Sequence, residues 1–188
     1  DRIAPTGTNG AGKSTLLRAL IGDGLNVADG HLVYVPQEVD MQHSRQLLDV
    51  ARALPGDELG RLMTVVSCLN SRPARLLESE LPSPGEVRKL LLAEGIVREP
   101  HLIVMDEPTN HMDLPSIECL EAALQDCCGL LLVSHDERFL QGLTTTRWNL
   151  SWIGESGGDA QLAIRQMPVE RETVPASPQT IRSRACPR

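Results

Sequence analysis

Eight residues near the start of the chain have the types and spacing needed to bind phosphate groups. They run Gly7-Thr8-Asn9-Gly10-Ala11-Gly12-Lys13-Ser14 and match the pattern GxxxxGKS/T at every fixed position. Glycines let the backbone curl so that successive N–H groups point inward, and the N-terminus of a following helix adds partial positive charge. We therefore predict a phosphate-binding loop that continues to Thr15. The alternative, a glycine-rich turn before an ordinary helix, is disfavoured because such a match arises by chance on the order of once in a hundred sequences.

A lysine, a serine and an acidic pair together indicate chemistry on a nucleoside triphosphate. Lys13 would reach the β- and γ-phosphates, and the Ser14 hydroxyl would complete the ligand shell of a Mg²⁺ ion. Asp106 and Glu107 follow the apolar run Leu102–Met105, so they lie at the edge of the sheet where open α/β folds bind ligands. Asp106 is then placed to hold Mg²⁺, usually through water, and Glu107 to polarise the water that attacks the γ-phosphate. An acidic pair at a turn is common, so this prediction depends on the phosphate loop.

A histidine follows the next apolar run of the chain. His135 stands in Val133-Ser134-His135-Asp136, and a strand that ends here emerges at the same edge of the sheet. A single histidine at such a place is usually structural. Because His135 is expected to lie beside the γ-phosphate, the favoured interpretation is that it donates a hydrogen bond to phosphate.

Strands that alternate with helices are predicted to position these side chains. Two continuous apolar runs, at 102–105 and 130–133, are typical of parallel strands covered on both faces. Apolar residues recur at helical spacing after the phosphate loop and again between the two runs. The pattern predicts an α/β fold with a mostly parallel sheet, flanking helices and right-handed crossovers. Tyr34 falls in a further predicted strand, 32–35, and is expected to pack there.

The remaining segments suggest how the domain is organised. Apolar residues at 47–77 keep helical spacing, so a small helical subdomain is predicted over about 40–98 within a domain of residues 1–165. Residues 166–188 are rich in Pro, Ser, Thr and Arg, and are expected to be a disordered tail. Because the phosphate loop follows so closely on Asp1, N-terminal strands are expected to be missing. Pro5 cannot donate a ladder hydrogen bond, so the strand 2–6 is predicted to be either irregular or altered.

Composition excludes several classes of protein. The 188 residues are 41% apolar, 23% charged and 2% aromatic, as in one ordinary globular domain. A net charge of −7 argues against wholesale electrostatic binding to nucleic acid. No run approaches the roughly 20 apolar residues that span a bilayer, so we expect a cytoplasmic protein without direct membrane insertion. The five cysteines lack the spacing of a metal site and are expected to be reduced thiols: Cys68, Cys119, Cys127, Cys128 and Cys186.

The order of these motifs, over about Ile3 to Leu150, resembles the ABC (ATP-binding cassette) ATPase family. Gln37, in Val35-Pro36-Gln37, looks like the Q-loop glutamine, and the resemblance implies that it contacts Mg²⁺ and the attacking water. The family's aromatic residue that stacks on adenine lies before the phosphate loop, outside this sequence. The resemblance implies a P-loop NTPase core with a helical subdomain, and hydrolysis of ATP to ADP and phosphate with Mg²⁺.

A second motif resembles the ABC signature, usually written LSGGQ. Ser83-Pro84-Gly85-Glu86 matches it at Ser83 and Gly85, whereas Pro84 and Glu86 depart from it and Leu81 or Pro82 fills the leucine position. The resemblance implies that Ser83, Gly85 and Glu86 contact the γ-phosphate of ATP held by an opposing cassette. Two cassettes would thus pair head to tail around ATP. The alternative is a Pro-rich helix entrance in which Ser83 acts only as an N-cap.

The stretch that follows Asp106 narrows the resemblance. Residues 107–113 read EPTNHMD and are similar to the EPTNHLD of the ABC-F branch, with Asp113 in the D-loop position. That branch carries two cassettes on one chain, lacks transmembrane segments and acts at the ribosome in translation or antibiotic resistance. The second cassette of such a protein fits best. Two alternatives stay open: the nucleotide-binding subunit of an ABC membrane transporter, and an inactive fragment that only binds nucleotide.

Overall fold

A mostly parallel β-sheet forms the centre of the fold. The computed structural model describes residues 1–25, 31–80, 82–125, 127–153 and 161–169, and these contain six strands in the order β2-β3-β4-β1-β5-β6. Neighbouring strands are parallel except for the antiparallel pair β5 and β6. The strands are β1 (Arg2–Thr6), β2 (Leu32–Val35), β3 (Leu102–Asp106), β4 (Gly129–Val133), β5 (Thr146–Ile153) and β6 (Gln161–Pro168). The predicted α/β class is confirmed.

Helices flank the sheet and form the region between β2 and β3. The described helices are α1 (Lys13–Ala19), α2 (Met41–Arg52), α3 (Gly56–Cys68), α4 (Pro73–Glu78), α5 (Pro84–Val97), α6 (Leu114–Gln125) and α7 (Glu137–Leu143). A π-helical segment, Leu20–Gly24, continues α1. Helices α2 to α5 fall within the range proposed for the helical subdomain. No described helix is long and apolar enough to cross a membrane.

Two apolar layers cover the two faces of the sheet. Residues of β3 and β4 alternate between them, because successive side chains of a strand point to opposite faces. Val104, Leu131 and Val133 pack with Leu17 of α1. On the other face, the neighbouring residues of the same strands join a larger core with helices of the helical subdomain, α6 and α7: Ile103, Met105, Leu130 and Leu132. The carboxyl ends of the central strands are thereby held in fixed relative positions.

Strand β1 is regular, and the expected irregularity at Pro5 is wrong. Pro5 lies in register with Trp148 of β5, and the β1–β5 pairing continues to Thr6. Pairing with β4 covers only Arg2 and Ile3. Because Leu130 N donates to Asp1 O (3.0 Å) and alternate residues face alternate neighbours, Pro5 faces β4. The missing N–H therefore shortens one ladder and leaves the strand intact.

Strand β6 extends beyond the predicted start of the tail. Gln166 pairs with Trp148 and Met167 with Arg147, and Val169 N donates to Thr145 O at 3.1 Å. The ordered domain therefore does not end at residue 165 but continues at least to Val169. Backbone pairing at the edge of the sheet holds these residues, and such pairing cannot be predicted from composition. Residues 170–188 of the predicted tail lie outside the described residues.

Gly95 of α5 packs directly against β2 and provides a test of this packing. A Cβ atom at Gly95 would lie 2.4 Å from Val33 Cγ2 and 2.5 Å from Val33 Cγ1. We expect Gly95→Ala to lower the free energy of unfolding by about 1–3 kcal/mol, the usual cost of overpacking a core. Gly60→Ala in α3 is the matched control, because nothing lies within 4 Å of its Cβ position. It should raise stability by up to about 1 kcal/mol. Urea denaturation measures both, and a Gly95→Ala protein as stable as wild type would contradict the packing.

Candidate functional site

The predicted phosphate loop connects the carboxyl end of β1 to the first residue of α1. Gly10 (φ 83°) and Gly12 (φ 90°) adopt left-handed backbone conformations that other residues rarely take. Ala11 N donates to Thr8 O at 3.0 Å and closes the turn. Gly12 is the N-cap of α1 and provides no side-chain acceptor for the first helical N–H groups. These groups remain available to an anion, as the sequence predicts.

Lys13 extends across the mouth of the loop. Its Nζ donates to Gly7 O (3.0 Å) and to Thr8 O (3.2 Å). Both contacts are exposed to solvent, so a phosphate oxygen could replace them without a buried cation being left unpaired. The ammonium group is therefore held over the position where the loop N–H groups converge.

One cleft brings most of the predicted site residues together. It has a volume of about 450 Å³ and lies where the phosphate loop meets the carboxyl ends of β2, β3 and β4. It is lined by Asn9, Gly10, Gly12, Lys13, Ser14, Thr15, Gln37, Asp106, Glu107, Asn110, Val133 and His135. Asn110 and Val133 were not predicted. Gly7, Thr8 and Ala11 form the base of the loop, where Ala11 is buried and a Cβ at Gly7 would lie 2.9 Å from Leu150 O.

The acidic pair lies buried at the end of β3. Asp106 is 2% exposed, and its Oδ1 atom is buried without a hydrogen-bond partner among the described residues. A buried carboxylate oxygen without a donor suits a cation, since such a group is costly to leave unpaired. Ser14, Gln37 and Asp106, all lining the same cleft, supply the oxygen ligands that Mg²⁺ prefers. The residues present thus fit the ion that the sequence predicts.

Glu107 is held in an unusual backbone conformation. Its N–H donates to Val133 O at 2.7 Å, which extends the β3–β4 ladder, yet its φ is +49°. A non-glycine residue in the left-handed region costs about 1–2 kcal/mol, and such residues cluster at functional sites. Glu107 is only 5% exposed and lines the cleft.

Glu107 and His135 form a pair. Glu107 Oε2 accepts a hydrogen bond from His135 N at 3.1 Å, and His135 Nε2 lies 3.3 Å from Oε1, at ion-pair distance but without hydrogen-bond geometry. Burial raises the pKa of Glu107, and the charge of Asp106 adds to this, whereas His135 and Lys13 act in the opposite direction. A carboxylate with a raised pKa is a stronger base than an ordinary glutamate. His135 itself is mostly exposed and open to the cleft.

The signature residues lie at the start of α5. Ser83 is the N-cap of this helix and forms a capping box with Glu86: Glu86 N donates to Ser83 Oγ (3.3 Å), and Ser83 N donates to Glu86 Oε2 (2.9 Å). Pro84 occupies the first helical turn, where its missing N–H costs nothing. Ser83 therefore has an N-cap role in this structure. It also explains the two departures from the signature pattern, because both residues favour a helix start.

A second cleft, of about 620 Å³, contains the signature residues. Ser83, Gly85, Glu86 and Asp113 line it, together with basic residues that include Arg72 and Arg75. Among the described residues it shares no lining residue with the first cleft. A hydrogen bond from Ser116 lowers the pKa of Asp113, since it favours the carboxylate. The predicted site residues thus divide into two sets on separate clefts of one chain.

The chain has sequence relatives among known proteins. The chain is 36% identical over 152 residues to ATP-binding protein Uup of Caulobacter vibrioides (76% of this chain, 24% of that protein). It is 34% identical over 194 residues to human ATP-binding cassette sub-family F member 3 (91% and 26%) and 32% identical over 182 residues to ribosome protection protein VmlR of Bacillus subtilis (91% and 32%). The chain thus spans about a quarter to a third of these relatives. No protein-family model matches it.

Solved structures with the same fold are ABC domains. The ATP-binding subunit of an ABC transporter aligns with a TM-score of 0.63 and 23% identity, covering 79% of this chain and 74% of that one. A dimeric ATP-binding cassette in a post-hydrolysis state, bound to ADP and Pi, aligns with a TM-score of 0.58 and 18% identity, covering 79% and 80%. At these identities the likeness establishes the fold alone.

The fold and the phosphate-loop cleft define a P-loop ATP-binding cassette. The chain belongs to the ABC ATPase family, and its sequence relatives are proteins of the ABC-F branch.

Proposed function

We propose that the chain hydrolyses ATP to ADP and phosphate as one of two cassettes that pair head to tail. The observation that carries this proposal is the convergence of the phosphate loop, Asp106 and Glu107 on one cleft. A volume of about 450 Å³ suits a small-molecule ligand. The residue types in it match each requirement of phosphoryl transfer to water: an anion cradle, ligands for a cation and a carboxylate base.

The phosphate loop binds the triphosphate in this proposal. Backbone N–H groups of residues 7–15 surround the phosphates, and Lys13 moves from Gly7 O and Thr8 O to the β- and γ-phosphate oxygens. Ser14, Gln37 and Asp106 would hold Mg²⁺. When bound, this ion neutralises charge on the phosphates.

Glu107 acts as the general base. Its carboxylate takes a proton from the attacking water as the oxygen approaches the γ-phosphorus, and its raised pKa improves this transfer. His135 is positioned beside Glu107 and donates a hydrogen bond to the γ-phosphate. Its backbone N–H keeps the Glu107 carboxylate oriented at the same time.

The second cleft supports pairing with another cassette. Ser83, Gly85, Glu86 and Asp113 share no cleft with the phosphate loop of their own chain, so they are free to complete the site of a partner. The partner is a second copy or a second cassette on the same full-length chain. A dimeric arrangement of this fold is known in the post-hydrolysis cassette described above.

The sequence relatives favour a role at the ribosome. One of them is a ribosome protection protein, and another is a sub-family F member. We therefore propose that the full-length parent is a ribosome-associated ATPase of translation or antibiotic resistance, with this chain as its second cassette. The transporter alternative rests on fold likeness below 25% identity.

Complementation between two inactive variants tests the shared site. In a mixed dimer of Lys13→Ala and Gly85→Asp chains, one site has both defects and the other has none. Each variant alone should release no phosphate from Mg-ATP, and an equal mixture should recover about a quarter of wild-type turnover, because half of random dimers are mixed. Recovery would exclude the inactive-fragment alternative. The proposal of shared sites would be contradicted by one result: both variants fold and the wild type hydrolyses ATP, yet the mixture stays inactive.

A further inference from the structure

One face of α5 is fitted closely to the core of the cassette. Gly85, Arg88, Leu92 and Gly95 are spaced by three or four residues, so they share a face of the helix. A Cβ at Gly85 would lie 3.0 Å from His111 O, and Gly95 contacts Val33 as described above. Leu92 is 1% exposed. The helix that begins with the signature residues is thus anchored along its length.

Arg88 connects this face to both loops that line the cleft beside Asp106. Its Nη1 donates to Asn110 O, and its Nη2 donates to Gln37 O. Gln37 follows β2, and Asn110 lies in the turn after Glu107, where Asn110 N donates to Glu107 O at 3.3 Å. Because β2 and β3 are paired in register, these loops leave the sheet side by side. A single guanidinium group therefore spans the gap between them.

The burial of Arg88 indicates a requirement beyond packing. The residue is 2% exposed, and burial lowers its pKa, although the charges of Glu38 and Asp106 oppose this effect. A buried charge is costly, and an apolar side chain of similar volume would often be more stabilising. The planar fork of arginine holds two separate donor nitrogens at a fixed spacing, whereas lysine has a single donor nitrogen. These properties suit a residue that fixes two loops relative to one another.

We propose that Arg88 is a positioning residue for hydrolysis, which joins the signature helix to the Gln37 loop and to the turn after Glu107. The inference rests on the proposed function. Arg88 provides a physical connection between the two clefts of one chain. A ligand at Ser83 and Gly85 that shifts α5 would therefore also move Gln37 and the turn that follows Glu107. The sequence alone gave no signal for this residue, since its partners are backbone carbonyls distant in the chain.

Arg88→Gln and Arg88→Lys test the proposal, with Arg2→Gln as the matched control. Arg2 has similar chemistry, because its guanidinium donates only to backbone carbonyls: Leu124 O (2.6 Å), Gln125 O (2.7 Å), Cys127 O (2.9 Å) and Leu143 O (3.3 Å). Those carbonyls lie at the amino edge of the sheet, away from the cleft. The control therefore reports what the loss of a carbonyl-binding guanidinium does to stability alone.

Hydrogen exchange of the full chain provides a readout that does not need hydrolysis. In Arg88→Gln, amides of residues 107–112 should exchange roughly tenfold faster or more, the effect of losing charge-assisted hydrogen bonds. In Arg2→Gln, acceleration should be confined to the ends of α6 and α7 and the residues that follow them, where the Arg2 partners lie. Arg88→Lys should lie between Arg88→Gln and wild type, because one nitrogen then replaces the separate Nη1 and Nη2 donors. It replaces Arg88→Gln if that variant does not fold.

Kinetics supply the second readout. Arg88→Gln should lower kcat and raise the Mg²⁺ concentration needed for half-maximal hydrolysis, with little change in the KM for ATP, whereas Arg2→Gln should change none of these. Wild-type exchange at 107–112 in a folded Arg88→Gln or Arg88→Lys protein would overturn the proposal. So would a fall in kcat of equal size in Arg2→Gln. If the wild type does not hydrolyse ATP, the proposed function fails, while the exchange measurement still decides whether Arg88 holds the two loops in place.

Discussion

Replacement of Glu107 by glutamine is expected to lower ATP hydrolysis by roughly 10²–10⁴-fold, the usual contribution of a positioned general base. Glutamine keeps the shape of the side chain and still offers an oxygen to His135 N, whose bond to Glu107 Oε2 is 3.1 Å long. It removes the charge that takes the proton. Asp106, Ser14 and Gln37 are untouched, so ATP and Mg²⁺ binding should remain. Phosphate release and equilibrium binding of a fluorescent ATP analogue measure the two effects separately.

In the proposed function, ATP holds the two cassettes together until it is cleaved, so the same variant should accumulate in the ATP-bound, paired form. In the full-length parent this trapped form should co-sediment with ribosomes in the presence of ATP. Glu121→Gln is the control: burial also raises the pKa of Glu121, but this residue lies on α6 outside the cleft. Normal hydrolysis by Glu107→Gln would show that Glu107 is not the base. A trapped protein that never joins ribosomes would leave the ATPase proposal standing and contradict the ribosomal role.

Local patterns in the sequence were sufficient to predict the central strands and the grouping of the glycine-rich loop with the acidic pair in one cleft. A phosphate loop is contiguous, and a parallel strand buried on both faces must be apolar throughout, so both leave a clear local signal. The acidic pair follows such a strand by one residue, and its position at the carboxyl edge follows from chain direction alone. Asp106 and Glu107 could therefore be placed beside Lys13 without knowledge of the sheet order.

Features that depend on contacts between distant segments could not be predicted. Gln166 of β6 pairs with Trp148 of β5, but the polar composition of the segment does not indicate this pairing. The position of Pro5 is tolerated because the β1–β4 ladder ends before it, which only the register reveals. Arg88 looked like any helical arginine, although it is buried and binds two loops. Each of these cases concerns backbone groups, which all residues share.

Replacement of Lys13 by alanine is expected to remove most of the affinity for ATP. Lys13 Nζ lies 3.0 and 3.2 Å from Gly7 O and Thr8 O. Among the described residues, it is the only lysine or arginine that lines the cleft. The loss of one partner of a desolvated charge pair costs about 2–5 kcal/mol, so affinity should fall by at least about 30-fold. Hydrolysis should disappear with it, unlike in Glu107→Gln, where binding survives. Arg18→Ala is the control, because Arg18 is on the same helix but is exposed and lies outside the cleft. Titration with Mg-ATP by calorimetry would measure the affinity of both variants. Equal affinities for Lys13→Ala and wild type would show that the loop does not bind the triphosphate. The assignment of the whole cleft as an ATP site would then fail.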